Sequence, residues 1–251
     1  MKAYATASDG VKIAYESVGE GAPVLLIHGF ASDRVQNWRA PGWYDTLTGA
    51  GYRVVAMDCR SHGESGKPYD PAMYAHDVMA RDAIAVMDAA GLRAPAIMGY
   101  SMGGYIGLQL LMGHGGRVAK LAIGGVGATY FGPAQFARDA IVAALEEPDS
   151  ERIADPVGRA FRAFAEQGAK DLKALAACMR GDRKTFTAPQ LARASQPVLV
   201  VCGDADELTG SPGPLAAAFP NGRAVTIARR DHMTTVGDKL YKQAVLEFLS
   251  E

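Results

Sequence analysis

The sequence predicts an α/β chain, in which a mainly parallel sheet is flanked by helices and carries an inserted helical segment. Three observations predict it. Continuous apolar runs at residues 23–27, 53–57 and 197–202 read as strands buried on both faces, and amphipathic stretches separate them. The run Ala96-Ile97-Met98 leads into Gly99-Tyr100-Ser101-Met102-Gly103 and then a helical pattern, giving strand, sharp turn and helix. After Gly127 the alternation breaks, and residues 133–180 hold helical stretches with no strand between them.

Taken in order, residues 4–7 and 11–15 flank the turn signal Ser8-Asp9-Gly10 and predict an opening hairpin. The strand at 23–27 ends in His28-Gly29-Phe30, followed by a polar loop through Asn37-Trp38 and a short helix over 42–50. The strand at 53–57 ends in Asp58-Cys59-Arg60-Ser61-His62-Gly63-Glu64-Ser65. Residues 74–90 place Val78, Ile84, Ala85 and Met87 among charges and stop at Gly91, the pattern of a helix with a glycine C-cap. An amphipathic helix follows the elbow over 104–112, and a strand follows at 121–123. The inserted segment is helical over 136–146, 159–167 and 171–179. A strand at 197–202, a helix near 215–219, a strand at 224–227 and a helix over 238–249 complete the pattern. The expected division is a core of residues 1–127 and 186–251, with a helical cap at 128–185.

With 251 residues, 49% of them hydrophobic, the chain can bury roughly three-quarters of its unfolded surface around one core. A formal net charge of −1 gives no electrostatic case for nucleic acid or an anionic membrane. The expected partner is a small molecule. Cys59, Cys178 and Cys202 are widely spaced, with no C-x-x-C pair and no His at ligand spacing, so neither a metal nor a disulfide framework is expected. That usage fits a reduced, cytoplasmic setting, and no stretch reaches the length of a membrane span.

The five-residue elbow directs attention to Ser101. At such a turn the serine sits at a strained tip, and the flanking glycines remove Cβ atoms that would clash. The next amide, that of Met102, lies at a helix N-terminus, where partial positive charge stabilises an oxyanion. A serine hydroxyl needs a base, and the base needs an acid to hold its tautomer. Of the five histidines, His76 and His114 lie in helices, His28 and His62 precede the elbow, and only His232 follows the last strand. For the acid, Val201-Cys202-Gly203-Asp204-Ala205-Asp206 projects carboxylates from a strand end, and Asp204 and Asp206 are both candidates. The order Ser, Asp, His is the one found where a serine elbow heads the site.

On His28-Gly29-Phe30, the elbow, Gly203-Asp204-Ala205-Asp206 and His232, the chain resembles cap-bearing members of the α/β-hydrolase family over essentially its whole length. The resemblance implies Asp206 as the acid, since the family strand ends in Gly-x-x-Asp. It implies the amides of Phe30 and Met102 as the oxyanion hole. Two departures stand out. Ser61 occupies a position where the family loop Asp-x-Arg-Gly-x-Gly-x-Ser has glycine, and Asp231 precedes the histidine where glycine is common. An Asp231 facing His232 would favour the imidazolium, but as a loop neighbour it is expected to point to solvent.

Serine at 101 also implies acyl transfer, because family members that open epoxides or displace halide use aspartate there. The expected reaction is hydrolysis of a small or medium carboxylic ester, lactone or thioester, with no cofactor. Tyr100, Trp38, Tyr130 and Phe131 are the candidate substrate contacts, and Trp43, Phe136, Phe161, Phe164 and Met179 are expected mainly to pack helices. Three alternatives use the same triad: carbon–carbon bond hydrolysis, perhydrolysis, and ligand reception without turnover. The missing second glycine after His28-Gly29 favours esters over carbon–carbon bonds.

Overall fold

A computed structural model describes residues 2–132, 135–168 and 170–251, with the side chains of 135–137, Phe136 among them, outside the description. Eight strands form one sheet in the order β1-β2-β4-β3-β5-β6-β7-β8. They are β1 (Lys2–Thr6), β2 (Lys12–Val18), β3 (Ala22–Ile27), β4 (Tyr52–Met57), β5 (Ala96–Tyr100), β6 (Lys120–Gly124), β7 (Val198–Gly203) and β8 (Gly222–Ile227). The opening hairpin pairs Thr6 with Lys12, and β2 runs antiparallel to β4. Every other neighbour is parallel, so β3 to β8 all end on one edge.

The apolar runs are continuous because both faces of the sheet are covered. Along β3, Leu25 and Ile27 join the core beneath α2 (His76–Ala89) and α3 (Met102–His114). Val24 and Leu26 join the opposite core with Trp38, Trp43 of α1 (Trp43–Gly49) and Tyr241 of α9 (Lys239–Ser250). Alternate side chains of one strand thus serve two cores, which leaves no position for a polar residue.

Three helix expectations change. The pattern at 74–90 divides into a short 3₁₀ turn, Pro71–Tyr74, and α2. The helix after the elbow is buried on nearly all sides from Met102 to Leu111 rather than amphipathic, because it lies against β5 and β6, packs on α2 and is crossed on its remaining side by the loop at Lys184. Between β6 and β7 run α4 (Gln135–Glu146), α5 (Pro156–Glu166), α6 (Leu172–Arg180) and the short α7 (Ala188–Leu191). Helix α5 begins three residues earlier than its apolar spacing suggests, since Asp155 caps it by accepting from the Gly158 amide at 2.7 Å and Pro156 fits its first turn. A short α8 (Gly213–Ala216) precedes β8. Among the described residues, no helix is long and apolar enough to cross a membrane.

Candidate active site

The strand β5 delivers Ser101 at φ 50°, ψ −114°, a left-handed backbone that a residue with a Cβ rarely adopts. The tip is held by the Ser101 amide donating to the Gly124 carbonyl at 2.7 Å and by the Ser101 carbonyl accepting from the Gly104 amide at 2.8 Å. Only glycine fits on either side. A Cβ on Gly99 would lie 2.2 Å from the Gly103 carbonyl oxygen, and one on Gly103 would lie 2.0 Å from that of Ile27. Met102 is the first residue of α3, where an amide has no intrahelical acceptor.

His232 lies in the loop after β8, and its Nδ1 is 2.8 Å from Asp206 Oδ2. The other carboxylate oxygen of Asp206 accepts from the amides of Leu208 and Thr209 at 3.1 and 3.2 Å. Burial pushes the Asp206 carboxyl up, but the hydrogen bond and charge of His232 together with Thr209 outweigh it and hold the carboxyl below its ordinary value. An ionised Asp206 fixes the proton on Nδ1 and leaves Nε2 as the acceptor, a tautomer inferred from these partners. The Tyr100 hydroxyl donates to the His232 carbonyl at 2.6 Å, so the strand before the elbow also sets the histidine loop.

The alternative carboxylate is engaged elsewhere. Asp204 is exposed and accepts from the Arg229 amide at 2.6 Å. Asp231 is also exposed and caps the next turn, accepting from the amides of Met233 and Thr234 at 3.0 and 2.8 Å.

The loop carrying Phe30 is pinned from several directions. His28 Nε2 accepts from the Cys59 amide at 2.9 Å while its Nδ1 donates to the Gly29 carbonyl at 2.7 Å. His62 Nε2 accepts from the Ala31 amide and Asn37 Oδ1 from the Gly29 amide, each at 2.9 Å. Asp58 accepts from the Arg34 and Glu64 amides at 2.9 Å and pairs with the Arg34 guanidinium. Lys170 reaches across from the helical segment to the Ala31 carbonyl and to Gln36 Oε1 at 2.7 Å. The Phe30 amide donates to no acceptor among the described residues. Ser61, at φ 70°, takes the backbone shape expected of glycine and sets its hydroxyl 2.8 Å from His62 Nδ1.

His62 and His76 are almost fully buried, and burial holds both well below the ordinary histidine value, so each is neutral in the fold. The unfolded chain binds a proton at each below about pH 6.5, and the folded chain does not, so stability falls as pH drops through that value. Each histidine costs roughly 1 kcal/mol over the first unit below pH 6.5. Urea midpoints at pH 7.5, 6.5 and 5.5 check this expectation, and a flat series contradicts it.

Two cavities meet at Ser101. Phe30, Ser101, Phe161 and His232 line both, one of about 110 Å³ and one of about 390 Å³. The smaller adds Gln36, Tyr100 and Phe164; the larger adds Met102, Tyr105, Tyr130, Arg138 and Arg183. A serine, a histidine with a free Nε2 acceptor and unengaged amides in one set of walls suit addition to a carbonyl carbon. Among the described residues no grouping of three or more His, Cys, Asp or Glu side chains is arranged to hold a metal.

Of the candidate substrate contacts, Tyr100 and Tyr130 line a cavity and the other two do not. Trp38 is a correction: it is fully buried beneath the sheet, edge-on to Trp43 with ring centroids 6.0 Å apart, because its turn faces the core and not the loop mouth. Phe131 is the second: it is 44% exposed and stands edge-on to Tyr130 on the outer surface. Phe161 and Phe164 line cavities instead, and their i, i+3 spacing on α5 is the signal that places them on one face. Arg138 and Arg183 carry no such signal, since arginines in a helical segment read as solvated surface.

The family described as alpha/beta hydrolase fold matches residues 22–147, half of the chain. A non-heme haloperoxidase from Rhodococcus erythropolis is 38% identical over 125 residues, 48% of this chain and 42% of that protein. The dihydrolipoyllysine-residue acetyltransferase component of the acetoin cleaving system of Cupriavidus necator is 30% identical over 249 residues, 90% of this chain and 63% of that one. The chain therefore spans less than two thirds of the length of either relative. The crystal structure of a hydrolase from Pseudomonas aeruginosa superposes with a TM-score of 0.83 at 29% identity, covering 100% of this chain and 98% of the other.

Proposed function

Because this chain belongs to the alpha/beta hydrolase family, we propose that it cleaves a small or medium carboxylic ester, lactone or thioester through an acyl-enzyme on Ser101. The observation that carries the reading is the 2.8 Å contact of His232 Nδ1 with Asp206, in a histidine that shares both cavity walls with the strained serine. His232 Nε2 takes the Ser101 proton as Oγ adds to the carbonyl, and returns it to the leaving alcohol or thiol. Water then adds to the acyl-enzyme by the same relay. Asp206 stays ionised and stabilises the imidazolium in each half. The amides of Phe30 and Met102 receive the oxyanion, each lowering the barrier by about 3 kcal/mol. They need no reorganisation, since the pinned 28–37 loop and the first turn of α3 hold them in place.

The segment at 128–185 acts as a cap. Its helices contribute Arg138, Ile141, Val157, Phe161 and Met179 to the larger cavity, so it sets which acyl or alcohol group fits. A second reading follows the name of the Rhodococcus relative: hydrogen peroxide replaces water on the acyl-enzyme and releases a peracid.

Intact-protein mass after exposure to an activated fluorophosphonate, peptide mapping and turnover of short 4-nitrophenyl esters test the proposal. One adduct on Ser101 with many turnovers is expected. An adduct without turnover would make the chain a ligand receptor, and labelling at another residue would remove Ser101 as nucleophile. Peracid release from an ester with added peroxide distinguishes the second reading.

A further inference from the structure

The larger cavity beside Ser101 contains two guanidinium groups that hydrolysis of a neutral ester leaves unused. Arg138, on α4, donates to the carbonyls of Met179 and Gly181, each at 2.8 Å, which fixes its plane and leaves Nη1 with no acceptor among the described residues. Arg183, just beyond α6, has Nη2 3.3 Å from the sulfur of Met179, a weak acceptor, and its Nε is buried with no hydrogen-bond partner among the described residues. Among the described residues no carboxylate oxygen comes within 4.0 Å of either group. The positions outside the description, 1, 133–137 and 169, are Met, Pro, Ala, Gln, Phe, Ala and Ala, so none supplies an acid.

Arg138 and Arg183 are half-buried, and the fully buried arginines Arg34 and Arg60 are treated differently. Arg60 meets Asp82 and Asp9 at 2.6 and 2.8 Å, and Arg34 pairs with Asp58 and Glu64. Where the cavity opens beside Ser101, two cations stand together with no carboxylate in contact. Burial, and for Arg183 also the neighbouring Arg138, pulls both below the ordinary guanidinium value, and the more distant Asp139 and Asp182 only partly offset this at Arg138. A partly desolvated cation with no counter-charge is costly, and a guanidinium fork matches a carboxylate's two oxygens. Around them, the Tyr130 hydroxyl accepts from the Phe186 amide at 2.8 Å and keeps its own proton to donate. Ile141, Val157 and Met179 supply apolar wall, which suits a short aliphatic spacer.

We propose that the substrate is the ester of an acid carrying a second carboxylate, held by Arg183 and Arg138 while its scissile carbonyl meets Ser101. The proposal rests on the reading of Ser101 as nucleophile. In this arrangement a short dicarboxylate half-ester, or the lactone or thioester equivalent, enters as an anion, and its remote charge positions the reacting bond. The volume of about 390 Å³ fits a molecule of this size.

Monomethyl glutarate and methyl pentanoate have the same acyl length and differ in the remote carboxylate, so their kcat/KM values form the test. The wild-type protein is expected to prefer the half-ester by at least about 10-fold, and Arg183→Met to reduce that preference by about 10–100-fold, the range for a lost hydrogen bond to a charged group. Arg183→Lys should restore part of it. Glutarate should raise the melting temperature of Ser101→Ala protein, a readout independent of turnover and of how well the arginine variant folds, and inorganic phosphate should not match it. Equal kcat/KM for the two esters, or no melting shift with glutarate, overturns the carboxylate proposal while leaving the serine hydrolase reading intact. Failure to turn over either ester, with no fluorophosphonate label, defeats the parent reading instead.

Discussion

Ser101→Ala protein is expected to fold normally and to lose at least about 10⁴-fold in kcat on a 4-nitrophenyl ester, the scale seen when a triad nucleophile is removed. The two halves of that expectation have separate causes. Alanine keeps the Cβ and so keeps the backbone cost of φ 50°, leaving stability near that of the parent. It removes only Oγ, while the hydrogen bonds that hold the tip run through the backbone amide and carbonyl. Ser101→Gly should be just as inactive yet melt higher than Ser101→Ala, because glycine adopts this backbone without the Cβ penalty. Kinetics and thermal melts on both variants check the pair. Ester cleavage above one part in a hundred of the parent rate would mean that another residue attacks the carbonyl.

Asp206→Asn is expected to lower kcat by about 10⁴-fold, against a few-fold at most for Asp204→Asn. In the first variant the side-chain carbonyl oxygen still accepts from Leu208 and Thr209, so the side-chain NH₂ faces His232 Nδ1. A donor there forces the imidazole proton to Nε2, the atom that must accept from serine. The fold survives, and the base arrives with its proton on the wrong side. In the second variant the side chain retains the oxygen that accepts from Arg229, and nothing links that position to the histidine. The reverse ranking in steady-state kinetics would transfer the acid role to Asp204.

How much of this is legible in the sequence varies with the range of the interaction that decides it. Strand alternation, the elbow and the insertion after Gly127 are local patterns, and the fold follows them closely. The choice between Asp204 and Asp206 stays open at that level. Two carboxylates two residues apart leave the same strand, and it is the turn at Leu208 and Thr209 that aims one inward. Trp38 and Phe131 depart from expectation because a loop sequence does not show which side of it faces the core. The anchoring of the 28–37 loop by His28, His62 and Asp58 is equally hidden, since its partners lie about 30 residues away in another loop. Arg138 and Arg183 stand out only once the packing shows that no carboxylate lies against them.

The position of the helical insertion between β6 and β7 also affects how the chain is made. By Gly124 the ribosome has delivered β1 to β6, and β7 begins 74 residues later, at Val198. At about 5–20 residues per second that interval lasts roughly 4–15 s, during which the apolar edge of β6 has no neighbour. Asp206 and His232 emerge later still, so a nascent chain has its serine elbow in place well before it has any relay to activate it. Each residue added to the insertion to reshape the cavity lengthens the time that edge stays open to aggregation. Changes in specificity made by lengthening the insertion therefore carry a cost during synthesis that the stability of the finished protein does not record.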